Sequence, residues 1–306
     1  MSTLTRSKRK SRINRDGTIV GDAIIYFFMA LVIFLTVYPV YYVIILSISD
    51  PIQAATLRVY TLPKGLYFGA YEIIAKNPAL WRAYAYTIFY VVSQTLLTLL
   101  TSVLIGYVLT VRGLIGRKLL VYFILVPMYF GGGLIPTFIL ISRLGLLNTV
   151  WALVLPGSYS IWYMILVRSY FASLDEGLRE SARIDGASHF TILFRIYLPL
   201  SKPILAVVAI YTIVGVWNAW FTSSVYQTDQ TIQPLQMYLR RVLITQEVDM
   251  TSGFSMAEAE AIARQRLTNN QLKYAMISFT TIPVLLVYPF FQKYFVKGVM
   301  LGSLKG

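Results

Sequence analysis

Six stretches of the chain are long, apolar and free of Asp, Glu, Lys, Arg and His: about Ala23–Ile48, Ala83–Val111, Leu119–Ile141, Val150–Val167, Pro203–Tyr226 and Tyr274–Phe291. A helix needs roughly 20 such residues to cross about 30 Å of hydrocarbon. The apolar positions are continuous and do not alternate in period two, so they predict helices rather than the strands of a membrane barrel. The first run is too long for the apolar centre of a signal peptide, and no small-residue cleavage site follows it. The pattern predicts an all-α, polytopic membrane protein. A tail over 1–22 precedes a domain of six transmembrane helices over 23–291, and a second tail covers 292–306.

The polar segments between the runs carry the topology. The N-terminal tail, the turn after the second run, residues 168–202 and the C-terminal tail together hold 17 of the 27 Lys and Arg and 6 of the 13 acids. That side nets +11, while the side with loops 49–82, 142–149 and 227–273 nets +3. Lys and Arg gather on the cytoplasmic side, so both termini are expected in the cytoplasm, which an even number of spans allows. The basic stretch Arg6–Arg15 reads first as a positive-inside anchor and second as a contact for anionic membrane lipid. In the outer loop 227–273, Met256–Leu267 is rich in helix-forming Ala, Glu, Arg and Gln.

Composition narrows the class. Hydrophobic residues make up 57% of the chain and charged ones 13%, against about 45–50% and about 25% in soluble domains. That nearly excludes a water-soluble enzyme. A net charge of +14 would suggest nucleic acid in a soluble protein, but here its distribution reads as topology, and no nucleic-acid partner is expected. With no cysteine, disulfides, thiolate metal sites and Cys nucleophiles are excluded together. The single histidine, His189, reads as a solvated loop residue with no second metal-type partner. No G-x-x-x-x-G-K-[ST] cradle for nucleotide phosphates occurs, and no catalytic constellation is visible. An ion-coupled carrier holds ionisable residues at membrane depth, and these runs have none.

Residues 168–202 are more than a connector. Ser173 is a plausible N-cap with Glu176 as its capping-box partner. Leu174, Leu178 and Ala182 share one face of the helix that follows. Gly186 offers a position where the backbone can turn sharply. A second amphipathic helix, with Phe190, Ile192, Leu193, Phe194, Ile196 and Tyr197 apolar, is expected to stop before Pro199. The result is a helix–turn–helix on the inner membrane surface.

Within it, Glu180-Ser181-Ala182, three residues, Gly186, nine residues, Ile196, one residue and Leu198-Pro199 resemble the E-A-A…G…I-x-L-P loop of permease subunits of ATP-binding-cassette importers. The one departure is Ser181 for the central Ala. Asp185-Gly186-Ala187, Leu198-Pro199-Leu200 with Pro203, and Trp217-Asn218-Ala219-Trp220-Phe221 look like the sugar-importing group related to the smaller maltose-transporter permease. Phe130–Pro136 and the ending Tyr288–Met300 resemble a branch of lipoprotein-associated permeases and importers of pectin- or alginate-derived oligosaccharides.

The resemblance implies a type I permease fold and a multi-pass protein of a prokaryotic cell membrane. It implies a second permease subunit as heterodimer partner, a separate ATPase dimer that carries the ATP and Mg, and an extracytoplasmic solute-binding protein. This chain would itself bind no cofactor. The helix around Ser173–Ile184 would be the coupling helix, docked in a groove of the ATPase, with Glu180, Ser181, Ala182, Asp185, Gly186, Ala187, Ile196, Leu198 and Pro199 as the coupling-loop residues. The sugar path is expected near Trp217, Asn218, Trp220 and Tyr129, since sugars bind by stacking on aromatic faces with a few placed polar groups. The C-terminal tail would reach between the ATPases, and loop 227–273 toward the binding protein. An importer for amino acids or peptides is the nearer rival, an ion-coupled secondary transporter the more distant one.

Overall fold

The computed structural model describes residues 15–56, 58–245 and 270–292. Its elements are helical: α1 (Arg15–Ser47), α2 (Pro51–Ala55), α3 (Gly69–Lys76), α4 (Pro78–Val108), α5 (Arg117–Tyr129), α6 (Leu134–Arg143), α7 (Trp151–Gly157) and α8 (Ile161–Ser173). They continue as α9 (Glu176–Ile184), α10 (His189–Leu200), α11 (Lys202–Trp217), α12 (Phe221–Tyr226), α13 (Leu235–Thr245) and α14 (Asn270–Gln292). The stretch Met256–Leu267 and the tail beyond Gln292 lie outside the described residues.

Among the described residues, three helices are each long and apolar enough to cross a membrane, in α1, α4 and α14, and two bent pairs bring the number to as many as five. The difference from six unbroken runs has local causes. In the third run the chain bends by 115° between α5 and α6. Gly133 there has φ 78° and ψ −171°, a backbone conformation open essentially only to glycine. The fourth run divides at Ser158–Ser160, where the Ser158 hydroxyl donates to Val154 O at 2.7 Å and the Ser160 hydroxyl caps α8. The fifth divides at Asn218–Trp220 between α11 and α12.

The described residues cluster in two units. In the first, which runs to Ala70 and takes in the start of α14, Ile45, Leu46, Ala54 and Val59 form a small core against Tyr42 and Tyr274. Asp50 caps α2 by accepting from the amides of Ile52 and Gln53, and Gln271 Nε2 donates to Ser49 O at 2.6 Å.

The second unit is organised by α4. Asn77 caps it and Pro78 occupies its first turn, where a missing N–H costs nothing. The helix therefore starts several residues before its apolar run. It packs mainly against α8 and α11. One core cluster joins Val103 and Tyr107 of α4, Val167 and Phe171 of α8, Ala182 of α9, Ile192, Leu193 and Tyr197 of α10 and Val208 of α11. The loop between the fourth and fifth runs is thus built into the core and is not a flap.

Candidate functional site

Helix α9 does not begin where capping-box spacing puts it. Ser173 ends α8 and turns its hydroxyl back to Tyr170 O at 2.7 Å. Asp175 is the N-cap and accepts from Gly177 N at 2.9 Å. An ionised carboxylate suits the positive helix terminus better than a hydroxyl does. Glu176 pairs with Arg112 from the turn after α4.

The end of α9 accounts for half of the sequence motif. Ala187 N donates to Ala182 O at 2.9 Å and Gly186 N to Arg183 O at 3.0 Å. This is the paired bonding of a Schellman cap, and it requires a left-handed residue at Gly186, whose φ is 78°. A Cβ built on Gly186 meets nothing within 4 Å, so the constraint on this position inside the chain is backbone conformation and not space. Ala182 and Ala187 pack together on the core cluster, the apolar contact that accompanies such caps. Glu180 has no such role. Its side chain is exposed and makes no hydrogen bond or ion pair among the described residues. Ser181 and Ile184 are exposed beside it.

The buried face of α9 is also rotated from the expected one. Leu178 is exposed, whereas Arg179 is only 5% exposed. Its Nη1 donates to Thr110 O at 3.0 Å and its Nη2 to Thr110 Oγ1 at 2.9 Å. Nε and Nη2 both donate to the Tyr197 hydroxyl, at 3.1 and 2.7 Å. The guanidinium lies 5.1 Å from the centre of the Tyr197 ring and 5.6 Å from that of Tyr107. A buried cation without a carboxylate needs such compensation, and the ring faces with the acceptors supply it. Tyr107, Phe171 and Tyr197 meet edge to face around it. One side chain thereby ties α9 to the end of α4 and to α10.

Helix α10 runs through Pro199 instead of stopping before it. A π-turn over Leu193–Tyr197, closed by Leu198 N bonding to Leu193 O, restarts the helix so that Pro199 falls in a first turn. Proline is tolerated there. The chain bends by 78° between α10 and α11. Ile196 and Leu198 pack on the core cluster. His189 is exposed but not solitary: Nδ1 lies 3.1 Å from the Tyr107 hydroxyl and Nε2 3.2 Å from Arg183 Nη2.

The residues expected along a sugar path are not alike. Trp217 is buried, donates Nε1–H to Thr280 O at 3.1 Å and meets Tyr84 edge to face. Asn218 is exposed and caps α11 through Nδ2 to Val214 O at 2.9 Å. Trp220 is 38% exposed and carries the Arg240 guanidinium 3.7 Å above its ring. Tyr129 is exposed on α5, away in sequence from the other three.

Sequence reading missed a neighbouring feature. A cavity of about 120 Å³ lies at the breaks of the fourth and fifth runs, lined by Tyr90, Gln94, Gly157, Gly215, Thr222 and Ser223 among others. Gln94 is uncharged and so escaped a search for ionisable groups. It folds over Gly157, where any Cβ would collide with its amide. Beyond α12, Gln227 Nε2 donates to the buried Tyr90 hydroxyl at 2.9 Å, and Leu235 N donates to Thr87 Oγ1 at 2.7 Å. The start of loop 227–273 is therefore fastened to α4. Asp229 caps the turn there, and hydrogen bonds from Thr231 hold its carboxyl below the usual range.

Comparison with known proteins gives these features a setting. Residues 100–301 match the family described as binding-protein-dependent transport system inner membrane component. The chain is 37% identical to Protein LplC of Bacillus subtilis over 89% of its own length and 90% of that protein's. It is 34% identical to the polygalacturonan/rhamnogalacturonan transport system permease protein YtcP of the same organism, over 93% and 98%. In the crystal structure of a bacterial ABC transporter involved in the import of the acidic polysaccharide alginate, one chain is similar with TM-score 0.79 and 31% identity, covering 96% of this chain and 100% of that one.

Proposed function

Because the chain belongs to the family of binding-protein-dependent transport system inner membrane components, we propose that it is the permease subunit of an ATP-driven carbohydrate importer. It is a multi-pass membrane protein and a transport subunit, not an enzyme. The relative named for polygalacturonan/rhamnogalacturonan transport and the alginate importer support oligosaccharides as cargo, uronate-containing ones included. In this reading the six apolar runs cross the membrane with both termini in the cytoplasm, the broken third, fourth and fifth runs each counting as one span. A second permease completes the pathway, an external binding protein delivers the sugar, and a separate ATPase dimer supplies ATP hydrolysis.

The observation that carries the mechanism is the contrast across α9. One side is locked to α4 and α10 through Arg179 and Ala182, and the other offers an unpartnered Glu180 with exposed Ser181 and Ile184. A helix held rigidly on one face and open on the other is suited to pass a push. Docked in the ATPase, α9 moves when ATP closes that dimer. The core cluster carries the movement to α4, α8 and α11, which switch as rigid bodies between inward-open and outward-open states.

Glu180→Lys reverses the charge of the docking face without touching the core. In a reconstituted complex it is expected to abolish uptake and uncouple ATP hydrolysis while the subunits still insert and assemble. Unchanged uptake would sink the coupling assignment.

A further inference from the structure

At the far end of α11 from the coupling loop, we infer a recognition site on this chain for the carboxylate of an anionic sugar, formed by Arg240, Trp220 and Asn218. The inference rests on the reading of the chain as a sugar-importer permease.

The apolar runs contain no basic residue, so a carboxylated cargo finds no counter-charge in the spans themselves. The fold supplies one from outside them. Arg240, on α13, lies 3.7 Å above the ring of Trp220, at the break between α11 and α12. A guanidinium stacked on an indole is held in orientation through its face, while its N–H groups stay directed outward in its plane. Those groups donate to nothing among the described residues. The ion pairs present there, Lys76 with Glu72 and Arg112 with Glu176, do not involve Arg240. The indole N–H of Trp220 likewise has no acceptor among the described residues. Asn218, two residues earlier and exposed, uses its Nδ2 as a cap and has no donor to its Oδ1 among the described residues.

The set is thus rich in positioned donors, carries one positive charge and lacks an acid of its own. Arg241, the next residue, is used differently, donating to Gln233 Oε1 at 3.3 Å and lying 5.5 Å from the Tyr238 ring centre. Planar, fork-shaped donors match a carboxylate in two parallel hydrogen bonds, the exposed part of the indole suits a sugar ring, and Oδ1 of Asn218 accepts from a ring hydroxyl. The ligand class is a uronic acid residue of an oligosaccharide.

The test uses the full complex in proteoliposomes with its ATPase and binding protein. Uptake of trigalacturonate is compared with that of its methyl ester, which has the same rings without the charge, and of neutral arabinotriose. Arg240→Gln and Arg240→Met are expected to lower trigalacturonate uptake by about 10- to 100-fold, the loss of hydrogen bonds to a charged group. Uptake of the neutral sugars should stay within about twofold, since they carry no carboxylate for the guanidinium to bind. Arg240→Lys, which keeps the charge and loses the fork, should fall between. Equal loss for charged and neutral sugars would make Arg240 a strut between α12 and α13, and an unaffected trigalacturonate uptake would overturn the site outright. Wild-type uptake of neutral sugars alone would also overturn it while leaving the sugar-importer reading intact. No uptake of any sugar by the wild type would remove the reading on which it rests.

Discussion

Arg179 and Arg240 both lie over aromatic rings, one near each end of α11, whose 16 residues span about 24 Å at 1.5 Å per residue. Their surroundings are opposite. Arg179 is buried and its donors are consumed by Thr110 and Tyr197. Arg240 is partly exposed and its donors are unused among the described residues. Cation–π geometry is common to both and therefore does not tell their roles apart. What separates them is whether the hydrogen-bonding capacity is spent inside the chain or held for something else. A spent guanidinium fixes elements to one another, and an unspent one recognises.

The largest effect that tests this contrast is expected at Arg179. Arg179→Met fills similar space but strands the Thr110 carbonyl and the Tyr197 hydroxyl, at a cost of about 2–4 kcal/mol in stability. Uptake should fall to background. The reading distinct from plain stability is the coupling: basal ATP hydrolysis persists but is no longer stimulated by the loaded binding protein. Arg179→Lys, a point charge that cannot reach both partners at once, should restore stability more than stimulation. Stimulated hydrolysis at wild-type level in a complex with a lowered melting temperature would reduce Arg179 to packing and break the comparison.

A smaller and more discriminating effect is expected at Gly186. Because its surroundings are open and only its φ of 78° is demanding, Gly186→Ala and Gly186→Leu should cost the isolated chain nearly the same, about 1–2 kcal/mol for a left-handed residue. Within the complex they should differ. Alanine should retain part of the uptake, and leucine, projecting toward the docked ATPase, should lose it. Equal transport by the two variants would confine Gly186 to helix capping and leave docking to Glu180 and its exposed neighbours.

How far the sequence disclosed all this depends on the range over which each feature is determined. The Ala182–Gly186 spacing was legible because a Schellman cap is made within six residues, whereas the break at Gly133 is hidden in an apolar run that continues on both sides of it. The start of α9 was misplaced by two residues because two capping signals, Ser173 and Asp175, compete in one turn. The rotation of α9 was hidden for a different reason. Polar–apolar periodicity assigns every arginine to the solvent side, and the acceptors that reverse this for Arg179 come from Thr110, 69 residues earlier, and Tyr197, 18 residues later. His189 gained its Tyr107 partner across 82 residues. Arg240 lies on α13 and Trp220 at the break before α12, separated by an irregular connection, and no periodicity relates them.

Trp217 offers the finest distinction, because it sits beside the inferred recognition residues in sequence and is unlike them in environment. Its indole N–H is spent on Thr280 O and its ring is enclosed, which by the same reasoning makes it a fixing residue. Trp217→Phe keeps most of the apolar contact and removes one hydrogen bond, so the expected cost is about 1 kcal/mol, with uptake of charged and neutral sugars falling little and equally. Trp220→Phe, which keeps a ring under Arg240 but removes an unspent donor, should leave the melting temperature unchanged and shift the apparent affinity for trigalacturonate. Should Trp217→Phe instead alter sugar preference at constant stability, hydrogen-bond saturation would no longer separate the two classes of side chain at this end of α11.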